Sequence, residues 1–360
     1  MACSHFRGDL QSGMGDGTSR FPMPDFPPPP APVRLPWWRW INWLALDAVA
    51  VAVAWLPVFA HLTGARLTPV NTGALAAGVW LFYMADRILD GLTGHGKRGR
   101  HQFAGRQAAW LLALMVAVAA GSGYWILHGM RAITVQAGVW VAMAGLLYFG
   151  IVAASRWKPV SQVLLLGLSV LMIMGLVQQE DHIAAGFQLW RAIAAGTLLT
   201  VLYFGLRQQY DPPPWTLVKK GLGGYLFALG VAVGPFSHVM DWGGLIRAAP
   251  VVLFAGACML NSLGIRLWEN PTASDPESLL LRRLYPWLLA AVGFGAVAEA
   301  WGADAWSRPA LLGVAACAAG FAVLHQMRNR WPAGVYSLAA DGIMVGVALL
   351  AGYFGPHSLP

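Results

Sequence analysis

Long apolar stretches recur along this chain at the length that crosses a bilayer, and that recurrence limits its fold more than any other feature. A membrane-spanning helix needs about 20 mainly apolar residues. Stretches of this kind predict helices over 42–62, 69–90, 107–127, 131–153, 160–178, 190–206, 217–236, 246–268, 284–302, 309–326 and 333–354. The pair 160–178 and 190–206 is short for a span. Composition agrees. Hydrophobic residues make up 57% of the chain and charged residues 11%, against about 25% charged in soluble domains. Trp, which favours the membrane–water interface, occurs 18 times. The expected fold class is all-α, a polytopic transmembrane helix bundle of about 9 to 11 spans.

Charge tests this division independently. Lys and Arg gather in cytoplasmic loops. With the N-terminus inside, the inner segments hold 19 of the 24 basic residues and the outer loops 5. Adding or losing one span would scramble that alternation, whereas a whole hairpin would not. The predicted localisation is therefore the cytoplasmic (inner) membrane with a cytoplasmic N-terminus. Three long polar loops, 87–106, 207–219 and 269–283, then share the inner face. The net charge of +8 follows from the same bias. No alternating aromatic and basic platform for nucleic acid accompanies it.

Residues 1–36 contain DFPPPPAPVRLP and no apolar run, which predicts a disordered, Pro-rich tail and gives no secretory signal. PWWRW resembles an interfacial anchor leading into a transmembrane domain over 37–356. Cys3, Cys258 and Cys317 have no metal or disulfide spacing. No Walker A loop is present, and no histidines pair at mid-membrane as haem ligands.

The stretch YMADRILDGLTGHGKRGRHQF, from Tyr83, carries the first chemistry. Asp86 and Asp90 lie one turn apart on one helix face. At a helix C-terminus both are opposed by the dipole as well as by each other, so the arrangement asks for a cation. Mg²⁺ is held by one or two carboxylates together with substrate phosphates. Arg87, Arg100, His101 and Arg106 are placed to neutralise such phosphates. The bland reading pairs the acids with Arg87 or loop arginines and leaves the basic run as topology signal. A second place is CMLNSLGIRLWENPTASDPESLL, from Cys258. Asn261, Ile265 and Glu269 fall on one helical stripe, with Asp275 beyond. Glu269 with Asn261 and Asp275 is a candidate second acidic cluster. Helix–helix hydrogen bonding for Asn261 and solvated charge for the acids is the alternative. Lys219 and Lys220, at the inner end of the 217–236 span, grip a phosphate or snorkel. Asp47, Glu299 and Asp341 are expected to pair with neighbouring helices.

Together these features resemble the UbiA superfamily of intramembrane prenyltransferases, helical bundles whose site opens on the cytoplasmic side. That family carries an NDxxDxxxD-type motif at the end of its second span. FYMADRILD stands there in this chain. Asp86 and Asp90 match its last two aspartates, while Phe82 and Tyr83 replace Asn and Asp. RGRHQFAGR resembles the basic segment that follows. KKGLGGYLFALG through LWENPTASD resembles the fifth and sixth spans and the second motif region, with 160–206 as an inserted hairpin. The other alignment makes 160–178 and 190–206 those spans, with Asp211 as the second acid. The resemblance implies Mg²⁺ on Asp86, Asp90, Glu269 and Asp275, with Asp86, Asp90, Asn261 and Glu269 in catalytic roles. Diphosphate would bind Arg87, Arg100, His101, Arg106, Lys219 and Lys220. The expected partners are a prenyl diphosphate, a lipid or aromatic acceptor and membrane lipids. The competing expectation is a non-catalytic protein of that fold that binds or moves a lipid or small solute. A secondary transporter ranks third, since no internal repeat is visible.

Overall fold

A computed structural model describes residues 38–92, 99–154, 215–237, 248–269, 274–332 and 334–353. The chain divides into Met1–Pro36 and Trp37–Pro360, and the helices below belong to the second unit. They are α1 (Trp38–Trp43), α2 (Leu46–Thr63), α3 (Pro69–Leu92), α4 (Gly99–Arg106), α5 (Ala108–Gly129), α6 (Ala132–Ala154), α7 (Trp215–Phe236), α8 (Ala249–Glu269), α9 (Pro276–Gly302), α10 (Ser307–Gln326) and α11 (Val335–Tyr353). No strand occurs among the described residues. Eight of these helices are long and apolar enough to cross a membrane, by length and composition. α3 has the length, at 24 residues, but ends in Asp86, Arg87 and Asp90. The protein is an integral membrane helix bundle. Nine expected spans coincide with helices here. The tail over 1–36, the hairpin 160–178/190–206, the segment 155–159 and Asp211 lie outside the described residues.

Two boundaries differ from expectation. α9 begins at Pro276, well before 284, because Asp275 caps it. The Asp275 carboxylate accepts the Ser278 N–H at 2.9 Å, and Pro276 occupies the first turn, where its missing N–H costs nothing. The Ser278 hydroxyl and backbone N–H hold the Asp275 carboxyl below the usual carboxylate range. Its capping stabilisation is therefore present at neutral pH and is lost as pH falls through that lowered value. The expected loop 87–106 is partly helical, as α4. Ala104 is fully buried. A Cβ on Gly105 would lie 3.1 Å from the Gly91 carbonyl, so α4 folds back onto the end of α3 through two glycines.

α8 is buried around most of its circumference, through Val251, Phe254, Ala257, Leu260, Leu263 and Leu267, as a central helix must be. α7, α9, α10 and α11 pack on it, and α2 closes the group against α7 and α11. Trp55 of α2 meets Phe254 at 4.3 Å between ring centroids, and Phe59 meets Phe254 at 5.4 Å and Phe236 at 6.1 Å. The Trp55 indole N–H donates to the Met344 carbonyl at 3.1 Å, which satisfies its polar atom in the core. At the periphery Trp287, Phe294 and Trp301 are 75%, 76% and 88% exposed. Such surface is cheap only against hydrocarbon or the interface.

α7 and α8 approach most closely at Gly224, where an added Cβ would lie 2.9 Å from both the Ala255 carbonyl oxygen and the Met259 nitrogen. Small residues permit such contacts between membrane helices. Gly224→Ala should gain up to about 1 kcal/mol of helix propensity and lose about 1–3 kcal/mol to overpacking against rigid backbone. The net expectation is a lower melting temperature for the detergent-purified variant. An unchanged or higher one would contradict the close α7–α8 contact.

Candidate functional site

Helix ends converge on one side of the bundle. The end of α3, the end of α6 and the start of α7 meet there, since Phe82 contacts Tyr148 and Phe149, and Tyr148 lies against Gly223. The end of α8 joins the starts of α7 and α9 through Arg266, which donates to Thr216 and pairs with Glu277 at 2.9 Å. Glu277 also accepts the Thr216 N–H at 2.6 Å. The start of α11 joins through Ser337, which accepts from Asn42 at 2.8 Å. This is the alternation that the charge pattern requires of the described helices.

At the centre of this face stand Asp86 and Asp90. The Lys219 ammonium of α7 lies 3.5 Å from a carboxylate oxygen of each. All three side chains are largely buried, 17% to 22% exposed. The i, i+4 spacing on α3 creates the repulsion, and the close packing of α7 supplies the cation that relieves it. Asp86 Oδ1 is buried and makes no hydrogen bond to the described residues. Tyr83 lies about one turn before Asp86 on α3, and Tyr148 of α6 contacts its neighbour Phe82. Phe227 packs on Tyr83 at 6.0 Å. Lys220 adds its field to Asp90.

Arg87 engages the α1–α2 junction. It is 6% exposed, lies 3.7 Å from Asp47 and donates to the Asn42 carbonyl. Asp47 also accepts from Asn42 Nδ2 at 2.6 Å and from the Ala48 N–H at 2.9 Å. This network clamps the elbow between α1 and α2, where Ala45 has φ 57°. That left-handed conformation costs a non-glycine residue about 1–2 kcal/mol, and Trp80 reinforces the clamp by donating to the Leu44 carbonyl at 2.9 Å.

The expected second cluster is dispersed. Asn261 donates to Asp341 of α11 at 2.7 Å, and its own Oδ1 is buried without a hydrogen bond to the described residues. Glu269 ends α8, about 12 Å along the helix from Asn261. Asp275 is exposed and serves as the α9 cap. Among the described residues no group of three or more His, Cys, Asp or Glu side chains could hold a metal ion. Arg106 is exposed, and the side chains of Arg100 and His101 lie outside the described residues. The structure therefore brings Asp86, Asp90 and Lys219 together. It gives Arg87, Asn261 and Asp275 partners elsewhere.

A hard cation nonetheless fits the acid pair. Two carboxylates are the protein complement that Mg²⁺ takes when phosphates and water fill its other positions, and Asp86 Oδ1 is a buried oxygen that faces Lys219 at 3.5 Å without a hydrogen bond to the described residues. Sequence reasoning undervalued Tyr83, which stands where the family motif has Asp, and Tyr148. A tyrosine one turn before an acid pair was the available signal. Thr216 and Glu277 carried no signal that spacing could reveal. No protein-family model, curated protein or solved structure matches the chain.

Proposed function

We propose that this protein is a UbiA-like, Mg²⁺-dependent membrane prenyltransferase, which moves an isoprenoid group from a prenyl diphosphate to a small or lipid acceptor. The observation that carries the reading is the meeting of Asp86, Asp90 and Lys219 at one end of the bundle. Asp86 and Asp90 would hold Mg²⁺ when the diphosphate enters. The ion supplies neutralisation of the departing diphosphate oxygens. Lys219, displaced from between the carboxylates, turns to the phosphates, with Lys220 beside it. Tyr83, Tyr148, Phe82 and Phe227 present aromatic faces to the allylic chain. They disperse positive charge developing on its reacting carbon and exclude water from it. The basic bias of the loops supports a site that opens to the cytoplasm.

A second reading rests on the same ammonium. Lys219 already contacts both acids at 3.5 Å, so the pair also has a cation from within the protein, as a non-catalytic lipid-binding protein would need. Transfer decides between the two. Purified protein in liposomes of total membrane lipid, which supplies acceptors, should release diphosphate from labelled geranylgeranyl diphosphate in a reaction that EDTA stops. Folded protein with no Mg²⁺-dependent release from C10, C15 or C20 donors would select the second reading.

A further inference from the structure

The cation that the acid pair calls for is already there, and the protein supplies it. The Lys219 ammonium stands 3.5 Å from Asp86 Oδ1 and 3.5 Å from Asp90 Oδ1. A closed charge-assisted hydrogen bond is shorter, about 2.7–2.9 Å. The ammonium thus bridges the two carboxylates through its field more than through tight bonds. An ion that bridges the same two oxygens must take the same place, since Mg²⁺ sits about 2.0–2.1 Å from its ligands. The two cations exclude each other. Asp86 Oδ1 is buried while the ammonium faces it, so an ion from solvent does not reach that oxygen.

The side chain can leave, and the helix that carries it stays. Glu277 accepts the Thr216 N–H at 2.6 Å, and Arg266 donates to the Thr216 hydroxyl. These contacts pin the start of α7 three residues before Lys219. Lysine carries its charge on a flexible four-carbon stem, and the Lys219 side chain is 17% exposed. Two carboxylates and one ammonium sum to a single negative charge, a weaker attraction for a divalent ion than the bare pair offers. A diphosphate changes both terms of the competition. Its oxygens give the ammonium another anionic partner, and they complete the coordination of the arriving metal.

We infer that Lys219 keeps divalent cations off the acid pair until a diphosphate draws its ammonium away. Metal then enters with or after the phosphate-bearing ligand and not before it. The part played by diphosphate rests on the reading above, whereas the exclusion of metal by the ammonium rests on the geometry of the pair alone. Lys219 is in this sense a positioning residue that sets the order of binding. The idle protein holds its acids paired internally and carries no metal there.

Metal binding without turnover tests this. In EDTA-washed, full-length protein in detergent, Mn²⁺ binding is followed by electron paramagnetic resonance with no phosphate present. Lys219→Met should bind Mn²⁺ about tenfold more tightly than the wild type, since a like charge leaves the site. Lys219→Arg keeps the charge and should bind as weakly as the wild type. Adding Asp86→Asn to Lys219→Met should cancel the gain, which locates it at the acid pair. Should the methionine variant fail to fold, Lys219→Gln serves. In melting assays Mg²⁺ with inorganic diphosphate should stabilise the wild type and Mg²⁺ alone should do little, whereas Mg²⁺ alone should stabilise Lys219→Met. Equal Mn²⁺ affinity in wild type and Lys219→Met, or a gain that survives Asp86→Asn, would overturn the exclusion. No joint effect of Mg²⁺ with inorganic or geranylgeranyl diphosphate would overturn the ordered entry. Joint stabilisation by inorganic diphosphate, without transfer from any prenyl donor, would sustain the inference and sink the transferase reading alone.

Discussion

Asp86→Asn should lower Mg²⁺-dependent prenyl transfer about a thousandfold, which corresponds to roughly 4 kcal/mol in the barrier. The substitution is isosteric and keeps α3 helical. It removes the charge on the carboxylate whose Oδ1 is buried and makes no hydrogen bond to the described residues. The fold should survive, because Lys219 retains Asp90 at 3.5 Å and one repulsive contact is relieved. Little change in melting temperature together with loss of transfer is therefore the expected pattern. If the pair were a structural ion pair, the order would reverse. Stability would drop and any activity would persist. Measuring both on one preparation separates the readings.

Asp47→Leu should destabilise the bundle by about 3–5 kcal/mol, the cost of breaking a buried ion pair by removing one member. The expected fall in melting temperature is on the order of 10 °C. Arg87, 6% exposed and donating to the Asn42 carbonyl, loses the Asp47 carboxylate in that variant. Arg87→Met should cost less, because Asp47 keeps the Asn42 amide at 2.6 Å and the Ala48 N–H at 2.9 Å. The double variant should regain most of the loss, since a buried ion pair replaced by apolar groups is often neutral. Additive losses would show that the two side chains do not interact. The same network holds the Ala45 elbow, so protease cleavage around Leu44–Leu46 should rise in Asp47→Leu and recover in the double variant.

The membrane architecture was legible because hydrocarbon imposes a length on every span and a charge bias on every loop. The start of α9 was misjudged by eight residues for a local reason. Hydropathy begins at 284, but the helix begins at the Asp275–Pro276 cap, a signal of a different kind. The acid pair could be placed at a helix end, and its demand for a cation could be derived. Which helix answers that demand could not. Lys219 stands 129 residues from Asp90, and their meeting depends on the α3–α7 packing rather than on any pattern along the chain. The same holds for Arg266 with Glu277 and Thr216. Asp341 was recognisable as an acid that needs a neighbouring helix, and Asn261 of α8 is the residue that meets it. Arg87 neighbours Asp86 in sequence, but successive residues point about 100° apart on a helix, and its meeting with Asp47 of α2 depends on packing.

The most direct test of the central claim is a melting assay of the purified protein with geranylgeranyl diphosphate, with and without Mg²⁺. A ligand that binds the folded state at 100 times its Kd stabilises by about 2.7 kcal/mol. The wild type should be stabilised by the two together far more than by either alone, and Asp86→Asn and Asp90→Asn should each abolish that joint effect. Stabilisation that does not depend on Mg²⁺, or that persists in both variants, would contradict the account.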